Sequence, residues 1–231
     1  MKAGRYRVAV DGVVFGARPI AAGEGRGLEV LLIQRGVEPY VGSWALPGGL
    51  VLEDESLEVA VRRELLEEAG VEPSWLEQLY TFGQPGRDPR ERTITVAWIG
   101  LVRPDRYPPS AATDAADARW WPMSKLPPLA FDHAHILDVA RERLQGKVRY
   151  QPIGFDLLPP EFTLSELQVL YETILERPLD KRNFRRKIGK TGLLLDTGKM
   201  RTGGAHRAPR LYRFDRDRYT VLEQQGYLFE I

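Results

Sequence analysis

The chain has 231 residues, with 33 Lys and Arg against 32 Asp and Glu, 43% hydrophobic residues and no cysteine. That size and apolar content fit one substantial core plus a smaller second one, and the missing cysteine excludes disulfides and thiolate metal sites. No run approaches the ~20 apolar residues of a membrane span, and Asp11, Arg18 and Glu24 interrupt any apolar signal core near the start; a cytoplasmic protein without a membrane partner is expected.

The near-neutral charge hides an asymmetry. Residues 1–146 carry 17 Lys and Arg against 21 Asp and Glu, whereas residues 147–231 carry 16 against 11. Between Arg177 and Arg213 there are 12 basic residues and only Asp180 and Asp196 as acids. A basic half beside an acidic one points to a nucleic-acid partner for the basic half.

In chain order, Tyr6–Phe15 is Val-rich with loose alternation and predicts a strand; a turn follows at Gly23–Gly27. Leu28–Gln34 is nearly continuous apolar sequence and predicts a buried strand, with Arg35 at its end as a candidate ligand contact. Trp44 leads into Leu46-Pro47-Gly48-Gly49, which predicts a strand ending in a tight glycine turn whose Gly48 carbonyl can approach a metal closely. Leu57–Ala69 contains no Gly or Pro and predicts a helix, capped by Ser56 and stopped by Gly70. Leu57, Val61, Leu65 and Ala69 make its apolar stripe. Glu64 and Glu68, four apart, share one face at the edge of that stripe, with Glu67 beside them. Like charges at that spacing repel, and a divalent cation relieves the repulsion. Alone, such a helix reads as an ordinary solvated one; the glycines upstream and Glu55, eight residues before Arg63, complete a longer pattern.

That pattern, Gly49, Glu55, Arg63, Glu64, Leu65, Glu67, Glu68, Gly70 and Val71, resembles a complete Nudix box with no departures. The resemblance implies hydrolysis of a nucleoside diphosphate linked to another moiety. It implies Mg²⁺ or Mn²⁺ held by Glu64 and Glu68 with help from the Gly48 carbonyl, Glu67 aiding metal or water positioning, and Arg63 orienting a carboxylate. The metal's roles would be charge neutralisation and water activation.

Beyond the helix, Leu76–Phe82, Thr93–Val102 and Arg119–Trp121 predict strands. The loop Gln84–Arg90 offers Arg87 and Arg90, which either pair with phosphate by forked hydrogen bonds or are solvated surface residues. Glu91 is a candidate general base, with surface exposure the plainer reading. Asp132 is expected to cap a helix reaching about Leu144, and His133 to act as a cap or packing residue. Together these give an α/β (α+β) domain over residues 1–147, a mixed sheet sandwiched between helices.

The second domain, 148–231, starts with a Pro-containing linker, Gln151–Pro160. Thr163-Leu-Ser-Glu166 is a capping box before a helix to about Leu175. Asp180 caps a second helix, Lys181–Ile188, whose Phe184 and Ile188 face inward. Lys181, Arg182, Asn183, Arg185, Arg186 and Lys187 cover its remainder. Strands are expected at Leu193–Leu195 and Arg210–Phe214, around a glycine-rich basic loop, Asp196–Pro209, with Arg201, His206 and Arg207. This order is that of a winged helix-turn-helix, whose basic helix suits a major groove and whose wing suits phosphates. A solvated basic helix with a hairpin is the plainer alternative.

Trp44–Gly49, Arg87–Arg90, Phe131–His133, Leu179–Lys187, His206-Arg207 and Leu211–Phe214 together resemble the Nudix-related transcriptional regulators of NAD metabolism. That resemblance spans nearly the whole chain. It implies a domain sensing ADP-ribose or a related nucleotide, a winged helix on operator DNA of NAD synthesis or salvage genes, and a homodimer on a palindromic site. Regulators of that family often carry a degraded box; the intact box here leaves hydrolysis of ADP-ribose to AMP and ribose 5-phosphate open. A metabolic pyrophosphohydrolase whose basic C-terminal domain packs or dimerises is the alternative.

Overall fold

The computed structural model describes residues 5–19, 26–108, 115–201 and 208–231. The turn expected from Gly23 and the basic-loop residues His206 and Arg207 lie outside these. The chain divides into two compact units, Met1–Arg18 with Leu28–Arg143, and Pro19–Gly27 with Leu144–Ile231.

The first unit is built on a mixed sheet. Its strands are β1 (Arg7–Pro19), β2 (Arg26–Arg35), β3 (Trp44–Ala45), β4 (Gly48–Leu50), β5 (Trp75–Phe82), β6 (Thr93–Leu101) and β7 (Ala115–Pro122). The order is β3-β2-β1-β6-β5, with β4 also on β1 and β7 also on β2. β1 and β6 run parallel, while β4, β3, β7 and β5 pair antiparallel with their neighbours. Helix α1 (Leu57–Ala69) matches its predicted bounds, with Ser56 accepting from the Val59 N–H and Gly70 left-handed at φ 65°. Its inward face, with Val61 and Leu65 fully buried, meets Val10, Val14, Leu31 and Ile33 in one core. β1 passes so close to α1 that a Cβ on Gly12 would lie 2.8 Å from the Leu65 side chain.

Helix α2 (His133–Lys147) lies along β5: Arg143 donates to the Leu79 carbonyl at 3.3 Å and the Phe82 and His135 rings meet edge-on. The Asp132 carboxylate, expected as its cap, is instead taken up by Arg87. The expected glycine turn at Gly48–Gly49 is a correction: these residues form β4, registered against Val10 and Asp11. The missing side chain at Gly48 is what lets β1 pass so close, since a Cβ there would run into the Val10 carbonyl.

In the second unit, past the end of α2, a 3₁₀ helix, Pro152–Leu157, lies inside the segment expected as a linker. Then come α3 (Leu164–Leu175), α4 (Lys181–Lys190), β8 (Leu194–Met200), β9 (Arg210–Phe214) and α5 (Arg216–Gln224), the last not anticipated. The capping box is complete, Thr163 and Glu166 bonding each other's backbone N–H. The core joins Leu167, Leu170 and Ile174 of α3 to Phe184 and Ile188 of α4, all buried, and Phe155 stacks on Phe214 at 4.3 Å. β8 reaches farther into the expected loop than the apolar pattern allowed. Gly198, at φ 71°, absorbs an irregularity, and pairing resumes at Met200 opposite Arg210.

Candidate functional site

Between β4 and α1 the backbone and the acids interlock. Gly48 donates its N–H to Glu68 Oε2 at 2.8 Å, and Gly12 donates to the Pro47 carbonyl at 2.8 Å. A Cβ on Gly48 would lie 2.2 Å from the Val10 carbonyl oxygen, and one on Gly49 would lie 2.3 Å from Glu64 Oε1. Real Cβ atoms do not approach so closely: at Gly48 the opposing atom is backbone and the position needs glycine, whereas at Gly49 an added Cβ would push the Glu64 carboxylate aside. Arg63 is the hub of the acid cluster. It grips Glu55 with Nε and NH2 at 3.0 and 2.7 Å, and also reaches Glu64 at 2.8 Å, Glu67 at 3.1 Å and the Leu50 carbonyl at 3.2 Å. These bonds raise the Arg63 pKa, the Glu55 contact most, and hold Glu55 below the usual carboxylate range.

Glu68 differs from its neighbours. It is 9% exposed, and burial pushes its pKa up to about 8 against the opposing Gly48 hydrogen bond, with Glu64 and Asp11 adding to the rise. Burial also raises Glu64, opposed by Arg63. Glu67 is turned outward, with its side chain 47% exposed. Thus the expected metal donors Gly48, Glu64, Glu67 and Glu68 share one helix and strand without closing into a cage. Among the described residues no three acids, histidines or cysteines stand close enough to hold a metal ion. Magnesium-type cations need no such cage, since one or two carboxylates plus substrate phosphate and water suffice. Two half-buried to buried acids with raised proton affinity, presented to a cleft, fit that requirement.

The cleft holds about 340 Å³ and has Glu64, Glu68, Arg35 and Arg90 on its wall. The cleft is also lined by Asp11, Arg87 and His133, part of a network that local sequence patterns did not anticipate. Arg87, 5% exposed, donates to both Asp132 oxygens at 2.9 and 2.6 Å and to Asp11 at 3.4 Å. His133 accepts the Leu46 N–H on Nδ1 at 2.9 Å, so its proton sits on Nε2, 3.5 Å from Asp11 Oδ1. Burial holds His133 below its ordinary pKa. Of the three arginines expected to contact the ligand, Arg87 is therefore committed to carboxylates. Arg90 makes a two-pronged pair with Asp88 at 3.0 and 2.8 Å but stays half-exposed. Arg35 bonds the Pro39 carbonyl at 2.8 Å and lies 4.8 Å from the Phe131 ring centre. Burial, then the nearby Arg90, lowers its pKa. The one readable trace of the missed network was Asp11, an acid in a Val-rich strand. Glu91 forms a surface ion pair with Arg7, away from the cleft's lining.

In the second unit, Lys181, Arg182, Asn183, Arg186 and Lys187 are all exposed on α4. Arg186 donates to the Asn183 side chain at 2.8 Å. Arg185 is turned inward, half-buried, and donates to Ser165 on α3 at 3.1 Å. Arg201 at the end of β8 is drawn to Glu166 at 2.6 Å, the same carboxylate that caps α3. These two residues tie elements together rather than extending an open cationic face.

A family model of the NUDIX domain matches residues 5–140. The chain belongs to the Nudix family. After the Nudix domain, a model described as the NrtR DNA-binding winged helix domain matches residues 154–214. The ADPR responsive transcriptional repressor NtrR of Acinetobacter baylyi is 38% identical over 191 residues, 81% of this chain and 76% of its own. Shewanella oneidensis NrtR, solved with a 27mer DNA, is 37% identical with a TM-score of 0.81, covering 96% of this chain and 97% of that one. The Nudix domain of the same Shewanella protein, solved with ADP ribose, is 37% identical with a TM-score of 0.52, covering 62% of this chain and 90% of that one. Nudix hydrolases use a divalent metal, which the acid pair on α1 suits. No helix among the described residues is long and apolar enough to cross a membrane.

Proposed function

We propose that this chain is an ADP-ribose-responsive transcriptional regulator, a repressor of NAD synthesis or salvage genes, acting as a cytoplasmic homodimer. Residues 1–147 receive the nucleotide and residues 148–231 bind operator DNA. The observation that carries this reading is the presence, in one chain, of a buried and a half-buried acid facing a cleft with Arg35 and Arg90 and of a helix whose exposed side is almost wholly basic. Neither feature alone requires the other. The repressor from Acinetobacter matches across both.

In the cleft, Glu64 and Glu68 hold Mg²⁺ or Mn²⁺, with the Gly48 carbonyl as a further donor and Glu67 positioning water. Arg63 locks Glu55 and Glu64 in place. The cation supplies neutralisation of phosphate charge and a water of lowered pKa. Arg35 and Arg90 meet the diphosphate, while Arg87 and His133 act through Asp11, Asp132 and Leu46 to fix the cleft wall. Arg182, Asn183, Arg186, Lys181 and Lys187 face the DNA.

The test is fluorescence anisotropy of the full chain on a promoter fragment of an NAD synthesis or salvage gene, at low salt, with and without ADP-ribose. DNA affinity that changes with ADP-ribose supports the reading; no DNA binding at low salt overturns it. Hydrolysis is a second reading, favoured by the unbroken acid set around Arg63. Release of AMP and ribose 5-phosphate from ADP-ribose with Mg²⁺ checks it, and an inert wild type leaves sensing alone.

A further inference from the structure

Helix α3 carries a column of polar side chains beside its buried face. Ser165, Gln168 and Glu172 follow one another at helical steps of three and four, so they share one side of the helix. Gln168 and Glu172 are half-buried. Gln168 Nε2 donates to Glu172 Oε1 at 3.0 Å and to the Leu179 carbonyl at 3.1 Å. Glu172 Oε1 also accepts the Leu179 N–H at 2.9 Å. Both backbone polar groups of one residue are thus gripped by two side chains that bond each other. Farther along the same side, Ser165 accepts from Arg185 of α4 at 3.1 Å.

The gripped residue stands at a decisive place. Leu179 immediately precedes Asp180, the N-cap of α4, which accepts the Asn183 N–H at 2.8 Å. Ahead of it, Glu176, Arg177 and Pro178 are exposed, and Glu176 is left-handed at φ 52°. Exposed residues contribute little packing. Phe184 and Ile188 anchor the body of α4 in the core, but both lie at or beyond the end of its first turn. The aim of that first turn therefore depends on the backbone grip at Leu179.

We infer that Gln168 and Glu172 are positioning residues for the reading of DNA sequence: by clamping Leu179 they fix the start of α4, where Lys181, Arg182 and Asn183 stand exposed. The inference rests on α4 facing operator DNA. The N-terminal residues of a recognition helix meet base edges, and a binding constellation must be held within about 0.5 Å of its productive geometry. Phosphate contacts through long Lys and Arg side chains tolerate more displacement and carry no sequence information. Without the clamp, discrimination between sequences falls while general affinity for DNA persists.

The test is fluorescence anisotropy of the full chain on two duplexes of equal length, a promoter fragment of an NAD synthesis or salvage gene and the same bases in shuffled order. Gln168→Ala and Glu172→Ala should weaken promoter binding about tenfold, the worth of one good base contact, and change binding to the shuffled duplex and its salt slope much less. Glu172→Gln keeps an oxygen for both bonds and should retain the wild-type ratio between the duplexes. A second measurement needs no DNA: the Leu179 amide should exchange its hydrogen about tenfold faster in Glu172→Ala than in the wild type, because its acceptor is gone. An unchanged promoter-to-shuffled ratio in both alanine variants overturns the inference, whether neither affinity moves or both fall together, as they would for a merely structural residue. An unchanged Leu179 exchange rate overturns the clamp itself. A wild type with no preference for the promoter overturns the operator reading and the inference with it, even where the exchange rate upholds the clamp.

Discussion

Glu68→Gln should stabilise the metal-free protein at alkaline pH while sharply weakening its response to magnesium. The Glu68 carboxyl titrates near 8 in the folded protein, raised from 4.5 chiefly by burial. Between those two values the folded chain holds one proton more than the unfolded chain, so raising the pH favours unfolding. The loss is about 1.4 kcal/mol per pH unit, or at most roughly 4 kcal/mol between pH 5 and pH 8. For a domain of this size 1 kcal/mol moves Tm by about 3 °C, giving roughly 10 °C. Glutamine keeps an oxygen for the Gly48 N–H and carries no charge. The difference in Tm between variant and wild type, measured in EDTA at pH 5, 6, 7 and 8, should therefore grow with pH by up to that amount, and other titrating groups cancel in the subtraction. Added Mg²⁺ should raise Tm of the wild type, because a ligand of the native state adds RT ln(1 + [L]/Kd), and raise the variant's much less. A Tm difference independent of pH would refute the claim that Glu68 is buried at an ionic cost.

Gly49→Ala should shift stability by only about 1 kcal/mol, because the atom its Cβ meets at 2.3 Å, Glu64 Oε1, ends a movable side chain. It should nonetheless remove most of the magnesium-induced rise in Tm, since Glu64 must swing away. His133→Leu strands the Leu46 N–H, costing about 1–3 kcal/mol. Burial holds the folded His133 pKa below 6.5, so below that pH the unfolded chain takes a proton that the native state refuses. Wild-type stability drops there, and the deficit of the variant in chemical denaturation should narrow from pH 7 to pH 5. On DNA, Arg182→Ala should reduce the salt slope of binding by about one, whereas Arg185→Ala, whose guanidinium is spent on Ser165, should lower stability and leave the slope nearly unchanged.

The parts that were legible in the sequence are those whose determinants are neighbours along the chain. Helix α1 declared its start, end and inner face through Ser56, Gly70 and a four-residue apolar step, and Arg63 finds its acids within eight residues on either side. The capping box of α3 and the inward Phe184 and Ile188 are equally local. The network around Arg87 was not legible, because Arg87 meets Asp132 across 45 residues and Asp11 across 76. Such a network exists only after β1, the 84–90 loop and the start of α2 are brought together, and each residue alone reads as a surface charge or a cap. The same limit explains Arg185. Its place on α4 marks it as basic, but the Ser165 hydroxyl on α3 decides where it points. The extension of β8 escaped notice because Gly198 and Lys199 break the alternation that a period-two pattern needs.

The acid cluster bears on whether sensing and hydrolysis can share one cleft. Arg63 compensates Glu55, Glu64 and Glu67 through direct hydrogen bonds, while Glu68 accepts from a backbone N–H instead. Three of the acids are thus held by protein contacts alone. Retaining Glu64 and Glu68 does not weaken the case for a sensor, since a ligand shifts a DNA-binding equilibrium only through its differential affinity for two states of the protein. Hydrolysis enters as a rate. If ADP-ribose leaves the cleft faster than it is cleaved, occupancy follows its concentration and the regulator reads the metabolite. If cleavage is faster, occupancy falls below binding equilibrium and the signal reports flux instead. The ratio of those two rates, rather than the integrity of the box, separates a hydrolase with a DNA-binding domain from a repressor with a hydrolase fold.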